Sequence, residues 1–219
     1  MITDIPKNRH QNMKTVSIWR VVFVFFLGVL CFLVSQVFTR VPLLTWLQKQ
    51  PGFMLWVMSF PLLGSVLVAM SAGFFEESGR FAFKALAIRP ARSRIWEPIV
   101  FGLGHGLCEA VWLFTTAWTT LSSMDPSQLI LPVVERLLAI TIHVGFSVMI
   151  WNGFQLDKRW RYLVFAILAH GLVDTLIPLA GKFGWGVLQL EGMVAGVAAL
   201  LLVYVFYSRK YYLKEDAYV

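Results

Sequence analysis

Six apolar stretches, each long enough to cross a lipid bilayer, occupy most of this chain of 219 residues. They lie near residues 17–38, 55–83, 97–119, 132–154, 161–180 and 186–207. A bilayer-spanning helix needs about 20 apolar residues, and a helix satisfies its own backbone hydrogen bonds in lipid. Hydrophobic residues make up 58% of the chain and charged residues 14%, which excludes a soluble or disordered protein. The sequence therefore predicts an all-α polytopic bundle of about six spans, as one integral-membrane domain over residues 1–219.

The second apolar stretch is longer than one crossing of the bilayer requires. Pro61 is suited to the first turn of a helix, where its missing N–H is not needed. We therefore expect the true span to begin at Pro61, and residues 51–60 to form a separate aromatic segment at the outer face.

Lysine and arginine residues concentrate at one end of the predicted bundle, before the first span and after the second, fourth and sixth. These clusters are Lys7, Arg9, Lys14 and Arg20; Lys84, Arg89, Arg92 and Arg94; Lys158, Arg159 and Arg161; and Arg209, Lys210 and Lys214. The positive-inside rule then places both termini in the cytoplasm. Anionic lipid headgroups account for the net charge of +7, and no nucleic-acid partner is expected.

Ionisable side chains from four predicted spans fall at nearly the same depth. At about 1.5 Å of rise per residue, His105 and His170 lie roughly 13 Å above the cytoplasmic ends of their spans. His143 and Glu76 reach a similar level in two other spans. A charge in mid-bilayer costs roughly 2.5 to 3.5 kcal/mol, so such residues usually face a cavity and serve a function. We expect these side chains to share one pocket.

The segment Glu76-Glu77-Ser78-Gly79-Arg80 places a cation within reach of two acids. Arg80 is at i+4 from Glu76 and i+3 from Glu77, so it can pair with either on one helix face. The two glutamates point about 100 degrees apart, so one can face a cavity while the other supports Arg80. We prefer Glu76 as a base that takes a proton from water, and Glu77 as support. The alternative is an interfacial ion pair that closes the helix end.

Two histidines each have an acid four residues later on the same helix face: His105 with Glu109, and His170 with Asp174. Glycines beside both histidines permit the close approach of another backbone or of a substrate. The alternative is that each pair joins two helices and has no chemical role.

His143 has no acid at helical spacing, and it bears on the choice between two chemistries. His105, His143 and His170 with Glu76 would complete a four-coordinate zinc site. Two histidines and one acid suffice to activate water without a metal. Because the zincin motif HExxH is absent from the sequence, we prefer no cofactor, with zinc as the alternative.

Taken together, these motifs resemble the CPBP superfamily of intramembrane proteases, which includes the CAAX prenyl endopeptidases, and they are most similar to its YhfC family. The counterparts are Glu76, Glu77 and Arg80; Phe101 with His105; and His170 with Asp174. Glu109 and His143 match residues that the YhfC branch adds. The resemblance implies a catalytic core at about 55–180 in a bacterial cytoplasmic membrane. Asn is commoner than Asp at position 174, and an ionised carboxylate cannot donate a hydrogen bond, so Asp174 is expected to orient His170.

The resemblance implies an endopeptidase that acts on a membrane-embedded or membrane-anchored peptide. Water held between Glu76 and His105 would attack the peptide bond, and His170, oriented by Asp174, would stabilise the oxyanion or protonate the leaving amine. The substrate would arrive laterally or from the cytoplasm. The non-enzymatic alternatives are a proton-coupled transporter, although the paired repeats of many transporters are missing from the sequence, and a peptide-binding scaffold or immunity protein.

Overall fold

The computed structural model describes residues 17–88 and 93–212, which are almost entirely helical and contain no strand within those two ranges. The helices are α1 Ile18–Phe32, α2 Val41–Gln48, α3 Pro51–Ser59, α4 Pro61–Leu86, α5 Trp96–Thr116, α6 Trp118–Leu121, α7 Ile130–Gln155, α8 Arg159–Phe183 and α9 Val187–Ser208. Five helices, one of them continuous from α1 to α2, are long and apolar enough to span a membrane, and the pair α3 and α4 brings the number to six. The predicted all-α polytopic bundle is therefore confirmed.

The bend in the second apolar segment lies where the sequence placed it. α3 ends at Ser59, α4 begins at Pro61, and the two helices meet at 116°. Pro61 occupies the first turn of α4, where it costs no hydrogen bond. α3 has no buried residue, so it lies across one end of the bundle and leaves α4 to make the crossing.

The first span is longer than expected, because it does not end before Arg40. A π-helical section, Leu33–Arg40, joins α1 to α2 in one continuous helix from Ile18 to Gln48. The Arg40 guanidinium is accommodated inside the bundle, where it donates to Ser71 Oγ and to the Val68 carbonyl, both at 2.8 Å. A cation with such partners does not mark the end of a span.

The antiparallel helices bring the cationic clusters to one end of the bundle. Arg20 at the start of α1 donates to Glu97 at the start of α5, at 2.6 Å, and the adjacent ends of α4, α7, α8 and α9 carry the other cations. Lys7, Arg9, Lys14, Arg89, Arg92 and Lys214 lie outside the described residues. The cytoplasmic location of this end stays a prediction.

A densely packed layer fills the half of the bundle next to the cationic end. Phe101, Phe146, Ile150 and Trp151 are each at most 1% exposed. The ammonium group of Lys84 donates to the Ile88 carbonyl at 3.1 Å and lies 5.5 Å from the centre of the Trp151 ring. A lysine can be buried here because its polar end has a hydrogen-bond acceptor and an aromatic neighbour.

Small residues let the helices that carry the ionisable groups approach closely. α4 and α8 touch at Gly73 and Gly171, where a Cβ built on Gly73 would lie 2.6 Å from the Gly171 nitrogen. On α5, a Cβ at Gly104 would overlap the Phe25 carbonyl of α1. These glycines serve helix packing, as small residues do in membrane bundles, rather than contact with a substrate.

We expect Gly73→Ala to destabilise the folded bundle, because the new methyl group overlaps the backbone of α8 and forces the two helices apart. Overpacking of this kind costs about 1 to 3 kcal/mol. Thermal unfolding of the purified protein in detergent measures the effect. Gly181→Ala is the control, since no heavy atom lies within 4 Å of the position that its new methyl group would occupy. Equal unfolding midpoints for the two variants would contradict the close contact of α4 with α8.

Candidate active site

Three histidines from three helices lie side by side in the interior of the bundle. The ring centres of His105 and His143 are 5.0 Å apart, and those of His143 and His170 are 5.7 Å apart. Each of these residues is at most 4% exposed. α4 contributes Glu76 and Glu77 to the same cluster, so four helices meet at this point.

Two of these histidines have their nearest carboxylate on α4. His105 Nε2 is 2.9 Å from Glu76 Oε2, and His170 Nδ1 is 2.7 Å from Glu77 Oε1. Adjacent glutamates on a helix diverge by about 100 degrees, so α4 can serve α5 with one acid and α8 with the other. The i+4 spacing had instead predicted Glu109 as the partner of His105 and Asp174 as the partner of His170.

The two same-helix pairs suggested by that spacing do not form as expected. Glu109 turns from His105 to His143, with Oε2 at 2.5 Å from Nε2, and its Oε1 accepts a hydrogen bond from Arg136 at 3.2 Å. Asp174 Oδ2 is 3.8 Å from His170 Nε2, which is too far for a hydrogen bond. Glu77, not Asp174, therefore orients His170.

Arg80 is completely buried and contacts three of the clustered side chains. Its Nη1 donates to Glu77, and its Nη2 lies 3.2 Å from Glu76 Oε2 and 2.7 Å from His143 Nδ1. A guanidinium only donates, so Nδ1 of His143 is the accepting nitrogen, and Nε2 faces Glu109. Arg80 therefore links both glutamates of α4 to a histidine of α7.

Gln36 and Arg40 belong to the site, although sequence reasoning missed both. Gln36 Nε2 donates to Glu76 Oε1, and Arg40 Nη1 donates to Gln36 Oε1 at 3.1 Å. The Arg40 contact fixes the orientation of the Gln36 amide, because only its oxygen can accept. Both residues precede the core expected at about 55–180, and an amide within an apolar span was the signal for Gln36. π-Helical sections often occur at functional sites, as this one does.

The His170 ring is held on two sides. Phe146 stacks on it with ring centres 4.8 Å apart and planes 9° apart, and Glu77 accepts from Nδ1. This leaves Nε2 pointing to the space between Glu76 and Asp174, at 4.0 Å and 3.8 Å from their carboxylate oxygens. The ring can thus exchange a proton at Nε2 without moving.

A cavity of about 1270 Å³ reaches this cluster from one end of the bundle. Glu76, Glu109, His143, His170 and Asp174 contribute to its lining, together with Gln36, Arg40 and Arg136. The rest of the lining is mainly apolar. It comes from the parts of α2, α3, α4, α7, α8 and α9 that lie away from the cationic end. Water therefore has a route to the clustered acids and histidines.

Four of these side chains form a group able to hold a metal ion: Glu76, His105, Glu109 and His143. One ligand atom from each lies within 4.8 Å of the others. Two imidazoles and two carboxylates suit zinc. The Oε2 atom of Glu109 is buried, and its close contact is with Nε2 of His143, which belongs to the same group. The donor set therefore fits a zinc ion. It contains Glu109 where His170 was expected.

The charges of the cluster are also unbalanced. Five carboxylates lie in and around the cluster, whereas three guanidinium groups contact them directly or through Gln36. The carboxylates are Glu76, Glu77, Glu109, Glu135 and Asp174, and the guanidinium groups are those of Arg80, Arg136 and Arg40. Buried charges are stable when they are compensated. The surplus of carboxylates therefore favours the binding of additional positive charge at this site, such as that of a metal ion.

These features define a multi-pass membrane protein with a buried glutamate and histidine site in a wide cavity. The sequence profile of the family described as YhfC intramembrane metalloprotease matches residues 14–117 and 113–198. The chain belongs to this YhfC family. It is also 24% identical over 224 aligned residues to the "Uncharacterized membrane protein YhfC" of Bacillus subtilis (strain 168), in an alignment that covers 85% of this chain and 84% of that protein.

Membership of this family supports the expectation of a membrane protease. The sequence-based preference for metal-free chemistry has no such support, because the family description names a metalloprotease. The matched residues begin well before residue 55, so they include Gln36 and Arg40.

We expect Glu77→Gln to destabilise the protein much more than Asp174→Asn. Glu77 is fully buried and contacts both Arg80 and His170, so losing its charge weakens two buried charge-assisted hydrogen bonds. Although Arg80 keeps Glu76 at 3.2 Å, the loss of one such bond costs about 1.5 to 3 kcal/mol. Asp174 is partly exposed and makes no hydrogen bond to His170, so its neutral variant should lose less than about 1 kcal/mol. Chemical unfolding in detergent compares the two. A larger loss for Asp174→Asn would restore Asp174 as the residue that orients His170.

Proposed function

We propose that this protein is a zinc-dependent intramembrane endopeptidase of the bacterial cytoplasmic membrane, and that its motifs place it in the CPBP superfamily. The observation that carries the proposal is the group of Glu76, His105, Glu109 and His143, with ligand atoms within 4.8 Å, at the base of a cavity wide enough for a peptide. The family to which the chain belongs supports both the proteolysis and the metal. The catalytic core runs from the first span to α8, within one domain.

His105, His143 and Glu109 would hold the zinc ion. His143 would first have to release its contact with Arg80 so that one ring nitrogen has a free lone pair. Catalytic zinc sites commonly keep three protein ligands, such as two histidines and a glutamate, and leave a fourth position open. When bound, zinc supplies Lewis acidity to the hydrolysis of a peptide bond. This assignment leaves Glu76, the fourth member of the group, to act in proton transfer.

Glu76 is suited to be the base because it lines the cavity and three other side chains fix its position. Gln36 donates to Oε1, while Arg80 and His105 approach Oε2 at 3.2 Å and 2.9 Å. A carboxylate positioned in this way can take a proton from the attacking water without first changing its conformation.

His170 is suited to donate a proton from Nε2 to the leaving amine, and the proton that Glu76 took from water would later restore the histidine through the water of the cavity. Its Nδ1 is held by Glu77 and its Nε2 is 4.0 Å from Glu76 Oε2, so the two groups can serve one substrate. A carboxylate that orients a histidine and stabilises its protonated form is a common arrangement in acyl transfer. Asp174 lies on the other side of Nε2, with its Oδ2 atom at 3.8 Å.

We expect Glu76→Gln to reduce cleavage by about 10²-fold or more, because an amide cannot accept the proton from water. The measurement is cleavage of a panel of single-span reporter proteins co-expressed in bacteria, with expression and unfolding midpoint recorded in parallel. Glu191→Gln is the matched control, since Glu191 lines the same cavity on α9 outside the proposed machinery. Substantial cleavage by Glu76→Gln would remove Glu76 as the base.

We expect the purified protein to contain about one zinc ion per chain, bound at a single site. His143→Ala and His105→Ala should each lose most of it, because each removes one of the three ligands, whereas Glu191→Gln should retain it. Elemental analysis gives the stoichiometry, and a chelator should abolish cleavage in parallel with metal loss. Full cleavage by protein that has been stripped of zinc would instead establish glutamate and histidine chemistry without a metal.

A further inference from the structure

The bundle has two halves that differ in packing. One half contains the cavity, and the other contains the densely packed layer around Phe101 and Trp151. The mouth of the cavity lies between the connection of α2 to α3, the end of α8 and the start of α9. Its lining residues include Gln48, Phe53, Pro178 and Leu190. All of these positions are at the end opposite the cationic clusters. Glu76, His143 and His170 lie at the inner end of the same cavity.

The described residues between the cationic end and these side chains are densely packed. Phe101, Phe146 and Trp151 separate the cluster from that end, and each is at most 1% exposed. Lys84 fills the space beside them, with its ammonium group directed to the Ile88 carbonyl. A layer packed at the density of a protein interior does not admit a peptide.

The charge of the two ends indicates which of them faces the cytoplasm. Near the cavity mouth, Lys49, Arg136 and Lys182 are balanced by Asp125, Glu135 and Glu191. The other end carries Arg20, Arg94, Lys158, Arg159, Arg161, Arg209 and Lys210 among the described residues. The positive-inside rule assigns the cationic end to the cytoplasm, and therefore the cavity mouth to the opposite side.

The lining and size of the cavity indicate what enters it. Its wall is mainly apolar, with side chains such as Met54, Val57 and Val173 between the mouth and the site. The arginines on the wall already have partners, because Arg136 pairs with Glu109 and Arg40 donates to Ser71. A volume of about 1270 Å³ exceeds the range of about 300 to 1,000 Å³ that is common for small-molecule sites. An extended apolar peptide segment fits both properties.

We propose that the substrate is an extended apolar peptide segment that enters from the non-cytoplasmic side and passes between α3, α8 and α9 to reach Glu76. This replaces the expected approach laterally or from the cytoplasm. The choice of a peptide rests on the proposed function, whereas the side of entry rests on the cavity and the charge distribution alone.

Thiol labelling tests the side of entry without requiring any proteolysis. Single cysteines are introduced at Val57, at Ala72 and at Lys158 in a background with Cys31→Ala and Cys108→Ala. Val57 and Ala72 line the cavity, and Lys158 is exposed at the cationic end. Intact cells are treated with a membrane-impermeant maleimide. Val57→Cys and Ala72→Cys should be labelled in intact cells. Lys158→Cys should be labelled only after the cells have been permeabilised.

Two outcomes would overturn the side of entry. One is labelling of Lys158→Cys in intact cells with protection of Val57→Cys, which would reverse the orientation. The other is failure of Ala72→Cys to react from either side, which would mean that the cavity is not open to water. A protein that labels as expected but never cleaves the reporter panel would keep the entry side and lose the proposed protease activity.

Protection from labelling tests the substrate class in purified protein. A synthetic peptide of leucine and alanine should slow the labelling of Ala72→Cys, because it occupies the apolar cavity. A peptide of the same length made of glutamate and lysine should not. Equal protection by both peptides, or protection by the charged peptide alone, would overturn the assignment of an apolar segment.

Discussion

The contacts of the buried Arg80 guanidinium hold the site together. Arg80 binds Glu77, lies beside Glu76, and donates to His143, so it links α4 to α7 through one side chain. Glu77 in turn orients His170 of α8, and Glu76 meets His105 of α5. Because buried ion pairs depend on every partner, the four helices hold these groups in place together rather than separately.

The same contacts place two adjacent glutamates in different surroundings. Glu77 has no exposed surface and contacts Arg80 and His170, both of which have to be held in one orientation. Glu76 lies on the cavity wall with Gln36 as an additional partner from the first span. A consecutive pair on one helix therefore provides one acid enclosed by Arg80 and His170 and one acid on the cavity wall, as the proposed division of their roles requires.

Much of the fold followed from apolar length and from a few special residues. The spans were recognisable from hydropathy, and Pro61 marked the start of α4 because its ring is compatible with the first turn but not with the interior of a helix. The first span was taken to end before Arg40, because hydropathy records the charge of an arginine but not the acceptors, Ser71 and the Val68 carbonyl, that surround it. Depth along the helices brought the right residues into one group, since helical rise is uniform.

The pairing within that group depended on information that one helix does not contain. Spacing along α5 and α8 suggested partners for His105 and His170, but helix rotation and tertiary approach decided them, at Glu76 and Glu77. Glu109 was thereby left for His143, the histidine with no acid at helical spacing, and the metal-binding group changed its membership accordingly. Hydropathy also does not predict that one half of the bundle is densely packed and the other contains a cavity, since both halves are similarly apolar in sequence. The aromatic layer around Phe101, Phe146 and Trp151 fills the half next to the cationic end, and this packing depends on contacts between helices that hydropathy does not record.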